Sequence, residues 1–429
     1  MGSLLMSENS PATKPVHPVV VSWMASIVYL VSTPTVLLFG YIVDNYGRKK
    51  ALMLTSLSMV VCWGLKLYST ETWALITARA MVGIGVCGSF VVTPLYIKEI
   101  SEDSLRGILG SLVVLSQNMG NLIVYLLGEY LSYKATLWAC LAVPISHFVL
   151  FSMMPETPSY LLKSGKDKEA RNALAWLRCR RSDDPVLDKE LNRLTDEVEE
   201  ETTGKFFSTL KNIVHNRGTF RALSITLLLT LAREMCGCLV IVHFASVIFS
   251  SAGHSFPLTP NQQAVIMGSV QLVGSITASS LVERMGRKKL LFGTCAMAGL
   301  TLFTLAAWFT LRTVLGSEST DSTAWLPVAA LCLCIYCDAA GLQPVPFVIM
   351  TEMFSFRNRG TVTSLVMMFA SFSASIELRA FQPVAKYVGL HYVFWFFSAV
   401  CLVSAVYIAL RVPETKMKSI EQIYEELDG

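Results

Sequence analysis

Arg233 and Glu234 adjoin inside a long apolar stretch, and His243 follows them in the same stretch. A charged side chain at the centre of a bilayer costs about 2.5–3.5 kcal/mol unless it pairs or lines water. Two readings of the Arg233-Glu234 step follow. It is either a mutually neutralised structural pair or a set of groups that meets a polar solute in a wet cavity. Glu234 and His243 can both titrate, which allows proton-linked or anion-handling chemistry, although a lone His on an apolar helix is commonly a hydrogen-bonded core residue. Asp338 lies just before Gln343-Pro344-Val345-Pro346. Pro344 and Pro346 take donors out of the backbone there and predict a hinge in a helix that also carries a carboxylate. Glu377 and Arg379 pose the same question in another apolar run.

Enzymatic chemistry has little to work with. The sequence holds no Gly-rich phosphate loop, no metal-ligand spacing and no nucleophile with its base. All but Cys179 of the eleven cysteines fall in apolar runs, where a thiol acts as a small hydrophobe. Cys332, Cys334 and Cys337 cluster most tightly, yet no His adjoins them, so no metal centre, cofactor or disulfide framework is expected.

The elements that must carry these residues follow from composition. Of 429 residues, 53% are hydrophobic and 15% charged, with mean hydropathy +0.52. Soluble proteins carry about 25% charged residues, so a cytosolic enzyme is excluded. The net charge of +4 is too mild for a nucleic-acid partner. A bilayer core needs about 20 apolar residues of helix. Eleven runs meet this, near 19–43, 51–69, 73–97, 107–130, 134–154, 219–252, 260–282, 289–314, 324–352, 360–389 and 390–411. They predict an all-α membrane protein with five helices in residues 19–154 and six in 219–411. Residues 1–18 read as a disordered tail, since they lack the basic start and short apolar core of a cleavable leader. Residues 412–429 read as a second polar tail.

Between the two sets, residues 159–218 carry 12 basic and 11 acidic side chains and must lie in water. Ala170, Leu174 and Leu177, then Leu187, Leu191, Leu194 and Val198, recur at helical spacing and predict two amphipathic helices. The plain reading of 155–218 is a linker between membrane halves. Short-loop Lys and Arg divide fourteen against four, which places the Arg48 side and the C-terminus in the cytoplasm and the N-terminus outside.

The two sets echo one another. Asp44-Asn45-Tyr46-Gly47-Arg48-Lys49 matches Glu283-Arg284-Met285-Gly286-Arg287-Lys288. Glu99 stands seven residues before Arg106-Gly107 as Glu352 stands seven before Arg359-Gly360, and Pro155-Glu156-Thr157 matches Pro413-Glu414-Thr415. Acids and arginines on neighbouring helix ends pair only while those ends are close. Asp44, Arg48, Glu99, Arg106, Glu283, Arg287, Glu352 and Arg359 are therefore expected to form a releasable cytoplasmic latch. The alternative is static positive-inside anchoring, to which acids at fixed spacing would add nothing.

With these motifs in place, the chain resembles the sugar porter family of the major facilitator superfamily, and within it the insect trehalose-transporter branch. The likeness is carried by Gly40, Asp44, Gly47, Arg48, Arg79, Pro94, Tyr96, Glu99 and Arg106, by Pro155-Glu156-Thr157-Pro158, and by Glu283, Gly286, Arg287, Pro344, Pro346, Glu352, Arg359 and Pro413-Glu414-Thr415-Lys416. Asn118 before Gly120 leans toward the trehalose branch. The resemblance implies two pseudo-symmetric six-helix halves around a cavity open alternately to either side, a lipid bilayer as surroundings, a neutral sugar as the small polar solute, and the plasma membrane as location. The first match begins at Ser22-Trp23 and resembles the family's second helix, so eleven spans are expected, with an incomplete gene model as the favoured reason. Arg79, some 9 Å inside its run, faces that first helix in the family.

The resemblance also assigns solute contacts, and here this chain departs from it. Where the family has a Gln pair, a Gly and an Asn, this chain has Arg233-Glu234, Gly237 and Leu239. The family's Trp after the Pro-x-Pro break is Phe347. Gln271 replaces a sugar-binding Asn, and Gln117 lies one turn beyond Val114, where the family has Gln. The expected solute-contacting set is therefore Gln117, Asn118, Arg233, Glu234, His243, Gln271 and Phe347. The leading expectation is a sugar carrier working by facilitated diffusion. Arg233 and Glu234 prompt a carrier of a charged solute as the alternative, and the absent helix prompts a non-transporting receptor or decayed paralogue.

Overall fold

A computed structural model describes residues 18–102, 106–181, 184–201, 206–252, 259–316, 323, 325–354, 356–418 and 420–428. The expectation of a disordered start lies outside the described residues up to position 17, and helix α1 begins at Pro18. The long helices are α1 (Pro18–Tyr46), α2 (Arg48–Tyr68), α3 (Thr72–Ile100), α4 (Arg106–Tyr130) and α5 (Tyr133–Ser152). After four short helices, α6 (Pro158–Lys163), α7 (Asp167–Leu177), α8 (Val186–Glu201) and α9 (Phe206–His215), come α10 (Arg217–Glu234), α11 (Cys238–Ala252), α12 (Pro260–Met285) and α13 (Arg287–Leu315). The chain continues through α14 (Trp325–Cys337), a π-helical turn (Asp338–Leu342), α15 (Val345–Met353), α16 (Phe356–Tyr387), α17 (Leu390–Arg411) and α18 (Ile420–Asp428). Every one of the eleven apolar runs coincides with helix. Ten stretches among the described residues are long and apolar enough to cross a membrane, and α4, 25 residues long, is the remaining run.

Two of the runs are not continuous. The run 219–252 breaks between Glu234 and Cys238, where Gly237 takes φ +81°. That left-handed conformation favours Gly, and a Cβ there would sit 2.4 Å from the Phe397 ring. The run 324–352 breaks before the prolines expected to break it. Pro344 cannot donate, and its ring crowds the carbonyl four residues back. The helix therefore widens from Asp338, with Gln343 N donating to Asp338 O at 2.8 Å, five residues apart. Pro346 then sits in the first turn of α15, where a missing donor costs nothing.

The helices pair on one repeated plan. α1 packs on α3, α2 on α3 and α2 on α5; correspondingly α12 packs on α14, α13 on α14 and α13 on α17. Two further seams join the sets, α1 with α16 and α4 with α12, and each is the counterpart of the other under the same correspondence. Lipid offers no hydrophobic drive between helices, so these seams rest on close backbone approach and polar links. Ser22 Oγ donates toward the carbonyls of Leu378 (3.3 Å) and Arg379 (3.2 Å), and the Arg379 guanidinium lies 4.6 Å from the Trp23 ring centroid.

The polar middle holds both expected amphipathic helices, α7 and α8. Leu174, Ala175 and Leu187 are buried together with Leu191 and Leu194 packed on them, while the side chain of Val198 lies outside the description. Arg178 ties this layer to the membrane helices. It donates to Ile100 O at the end of α3 (3.0 Å) and meets Glu190 at 2.6 Å. The expected polar tail at 412–429 is docked rather than loose, because α18 buries Ile423 and Tyr424 Oη donates to Met353 O at 3.0 Å.

Candidate functional site

Two sites rise from these elements. The first is a pair of matching cages at one end of the bundle. Gly47 (φ +95°) and Gly286 (φ +85°) each turn the chain between two long helices and leave the first backbone amides of the next helix unsatisfied. A carboxylate fills each gap. Glu156 Oε1 accepts from Arg48 N and Lys49 N, both at 3.1 Å, and Glu414 accepts from Arg287 N at 2.9 Å and Lys288 N at 3.2 Å. A Cβ at Gly47 would stand 2.2 Å from Glu156 Oε2 and one at Gly286 2.7 Å from Glu414 Oε2, so glycine is required both for the turn and for the anion.

The arginines complete the cages. Arg48 reaches Glu99 at 2.8 Å and donates to Val43 O at 3.2 Å, and Arg287 reaches Glu352 at 2.8 Å and donates to Val282 O at 3.4 Å. Glu283 adds a third arm to Arg287 at 3.3 Å. Asp44, its counterpart, does not join Arg48 but pairs with Lys163 of α6 at 3.1 Å, as its side chain is one methylene shorter than glutamate. Arg359 donates to Phe354 O at 3.3 Å rather than to an acid, and its Nε is buried with no hydrogen-bond partner. The side chain of Arg106 lies outside the described residues. Glu156 and Glu414 were visible as repeated Pro-Glu-Thr motifs, but their capping role was not, since it needs the chain to return from over a hundred residues away. Glu414→Ala is expected to cost about 1–2 kcal/mol through lost amide acceptors at a helix start. A fall in the melting temperature of detergent-purified protein would report it, with Glu414→Gln falling less.

The second site lies where the two broken helices face each other. Arg233 and Glu234, at the end of α10, form an ion pair, with Glu234 only 3% exposed. Asp338 of the π-turn (7% exposed) and Glu377 of α16 (5% exposed) are within electrostatic reach of that pair. One guanidinium thus faces three buried carboxylates. Neither Glu377 oxygen makes a well-formed hydrogen bond, although the Gly237 amide is close, and Asp338 Oδ1 has none. His243 on α11 bonds Leu239 O through Nδ1 at 2.9 Å, and its ring lies edge-on to that of Tyr29 of α1 with the centroids 6.1 Å apart. Tyr29 lies within reach of Arg233, Glu234, Glu377 and Arg79 of α3, so this site draws on both helix sets. Nothing in the sequence pointed to Tyr29, which looks like an ordinary apolar-run tyrosine until packing places it. Glu377 and Asp338 carried the usual signal of an acid in an apolar run.

The amide residues gather elsewhere, on the α4–α12 seam. Asn118 is fully buried and its Nδ2 donates to Ser275 Oγ at 2.5 Å, while Ser275 Oγ donates to Gln271 O at 3.1 Å. The Oδ1 of Asn118 and the Oε1 of Gln117 are buried with no partner, leaving acceptors free for a hydroxyl. Gln271 is buried on the same seam. Phe347 packs against the large core of the second helix set. The expected contact set is therefore split between an amide seam and a charged joint.

A bundle with ten helices of membrane length among the described residues, built twice on one plan and joined along two equivalent seams, is that of a multi-pass membrane protein. The chain belongs to the Sugar (and other) transporter family, whose model matches residues 5–427. It is 27% identical over 409 residues to a facilitated trehalose transporter of Aedes aegypti, covering 95% of this chain and 50% of that protein. To the facilitated trehalose transporter of Bombyx mori it is 29% identical over 410 residues, covering 95% of this chain and 79% of that protein. The chain spans about half the length of the first curated relatives it matches. Among solved structures, the partially occluded inward-open xylose transporter XylE from E. coli superposes with a TM-score of 0.77 at 16% identity, over 97% of this chain and 95% of that one. A proton:xylose symporter XylE structure bound to a bromodeoxyglucose gives a TM-score of 0.72 at 17% identity, over 95% and 89%.

Proposed function

We propose that the protein carries a sugar, of trehalose or glucose type, across the plasma membrane by facilitated diffusion. Residues 19–154 and 219–411 would rock about the α1–α16 and α4–α12 seams, with residues 155–218 as the strut between them and the cages facing the cytoplasm. The observation that supports this most directly is membership of the sugar-transporter family together with free amide acceptors on a seam between the two helix sets. Gln117, Asn118 and Gln271 would meet solute hydroxyls, and Pro344 and Pro346 would fix the joint at which the second set bends. The cage ion pairs each join helices of one set, so their release would accompany bending within a set rather than its movement as a rigid body. Radiolabelled trehalose and glucose uptake by cells displaying the chain at their surface tests the proposal. Saturable uptake, reduced at least tenfold by Asn118→Leu, is expected; surface protein without saturable uptake of either sugar overturns it.

A second reading is favoured by the excess of buried acid around Arg233. The same architecture would then carry a charged solute. Arg233→Gln combined with Glu234→Gln would switch solute preference under that reading, whereas under the first it would lower sugar uptake without changing which solute is taken.

A further inference from the structure

The broken joint at Gly237 and the π-turn at Asp338 together bring a set of soft ligands into one place. The break between α10 and α11 is Cys236-Gly237-Cys238, and the left-handed Gly237 bends it so that both thiols and the Asp338 carboxylate come together. One ligand atom from each of Cys236, Cys238 and Asp338 lies within 4.8 Å of the others, and all three residues are buried. The Cys334 Sγ, one helical turn before Asp338, is 3.6 Å from Cys238 Sγ. A tetrahedral site with metal–sulfur bonds of about 2.3 Å has sulfur–sulfur edges of about 3.8 Å. The Cys238–Cys334 spacing fits such an edge, and the remaining ligands need only close inward. Asp338 supplies an independent sign, because its Oδ1 is buried with no hydrogen-bond partner although the residue is only 7% exposed. A buried carboxylate oxygen with no donor calls for a partner beyond the nearby Arg233 guanidinium.

We propose that Cys236, Cys238 and Asp338, with Cys334 as the fourth ligand, form a site for a thiophilic divalent cation of the zinc–cadmium class. Two thiolates or more with one carboxylate select a soft or borderline ion over magnesium, calcium or sodium. Each of the three cysteines gives up its thiol proton to solvent on binding, so three protons are released per ion. With all four ligands bound, three thiolates and one carboxylate around a divalent ion leave a net charge of two minus, and Arg233 lies within electrostatic reach of both Asp338 and Cys236. The cluster shares Cys334 with the run Cys332, Cys334 and Cys337 that sequence spacing alone puts forward, but draws its other ligands from the α10–α11 break and the π-turn, about a hundred positions apart. An occupied site would staple the Gly237 joint to the π-turn.

The test is titration of the purified, detergent-solubilised full chain with Cd2+ alone. One ion per chain is expected, with a cadmium–thiolate charge-transfer band and a higher melting temperature. The double variant Cys236→Ser/Cys238→Ser should lose the band, Asp338→Asn should weaken binding at least tenfold, and Cys295→Ser should keep both. X-ray absorption on the loaded parent protein should count three sulfurs plus oxygen, a readout independent of variant folding. No band in folded parent protein, a band that survives Cys236→Ser/Cys238→Ser, unchanged affinity in Asp338→Asn, or a shell without sulfur overturns the proposal.

Discussion

Arg233→Ala should be among the most damaging single changes in the molecule. Glu234, Asp338 and Glu377 are each at least nine-tenths buried around that guanidinium, and its removal leaves the three carboxylates without their paired cation. Breaking a buried pair by deleting one partner costs about 3–5 kcal/mol, because an uncompensated charge stays in a dry place. The variant should melt far below the parent in detergent and show no measurable uptake. Adding Glu234→Gln should recover more than half of the lost stability, since the most tightly paired acid is then neutral. Arg233→Lys should fall between, keeping the charge but losing the planar fork. Melting of the four proteins side by side checks the cycle, and equal stability of parent and Arg233→Ala would show that the acids are neutralised some other way.

Gly83→Ala should destabilise by about 1–3 kcal/mol, the usual cost of overpacking. A Cβ at Gly83 of α3 would stand 2.4 Å from the Val28 carbonyl oxygen of α1 and 3.2 Å from the Val31 Cβ. The obstacle is backbone, so no rotamer change relieves it and the two helices must part. Parting them also strains the Ser32 hydroxyl, which reaches the carbonyls of Gly83 at 2.9 Å and Val28 at 2.8 Å. Gly64→Ala on α2 is the matched control. Nothing lies within 4 Å of a Cβ there, and removing a helical glycine should stabilise by up to about 1 kcal/mol. Opposite shifts in melting temperature for the two substitutions are expected.

Hydropathy made the long helices legible, because apolar runs of bilayer length leave a chain few other options. It also showed which stretches carry acids where acids are costly, which is how Glu234, Asp338 and Glu377 came into view. It could not show that two of the runs are unwound. The Gly237 break depends on a positive φ that spacing does not announce, and the π-turn at Asp338 is displaced from the prolines that cause it. The charged joint and the amide seam are consequently separate, although linear order interleaves their residues. Glu99 and Arg48 met as their repeated spacing suggested, but Asp44 was drawn to Lys163, a choice made by side-chain reach rather than by pattern. Tyr29 enters the charged joint through tertiary packing, its ring lying edge-on to that of His243 of α11.

The twin cages are drawn alike but are not equally sheltered. Arg48 and Glu99 are 3% and 8% exposed, whereas Arg287 and Glu352 are 11% and 27%. Dissolved ions screen solvent-exposed charge pairs more than buried ones. A structure fastened twice by one device therefore has a softer fastening, at the Arg287 end, and rising ionic strength will loosen that end while the Arg48 end still holds. Duplication on a common plan has left the molecule with a direction in which it comes undone.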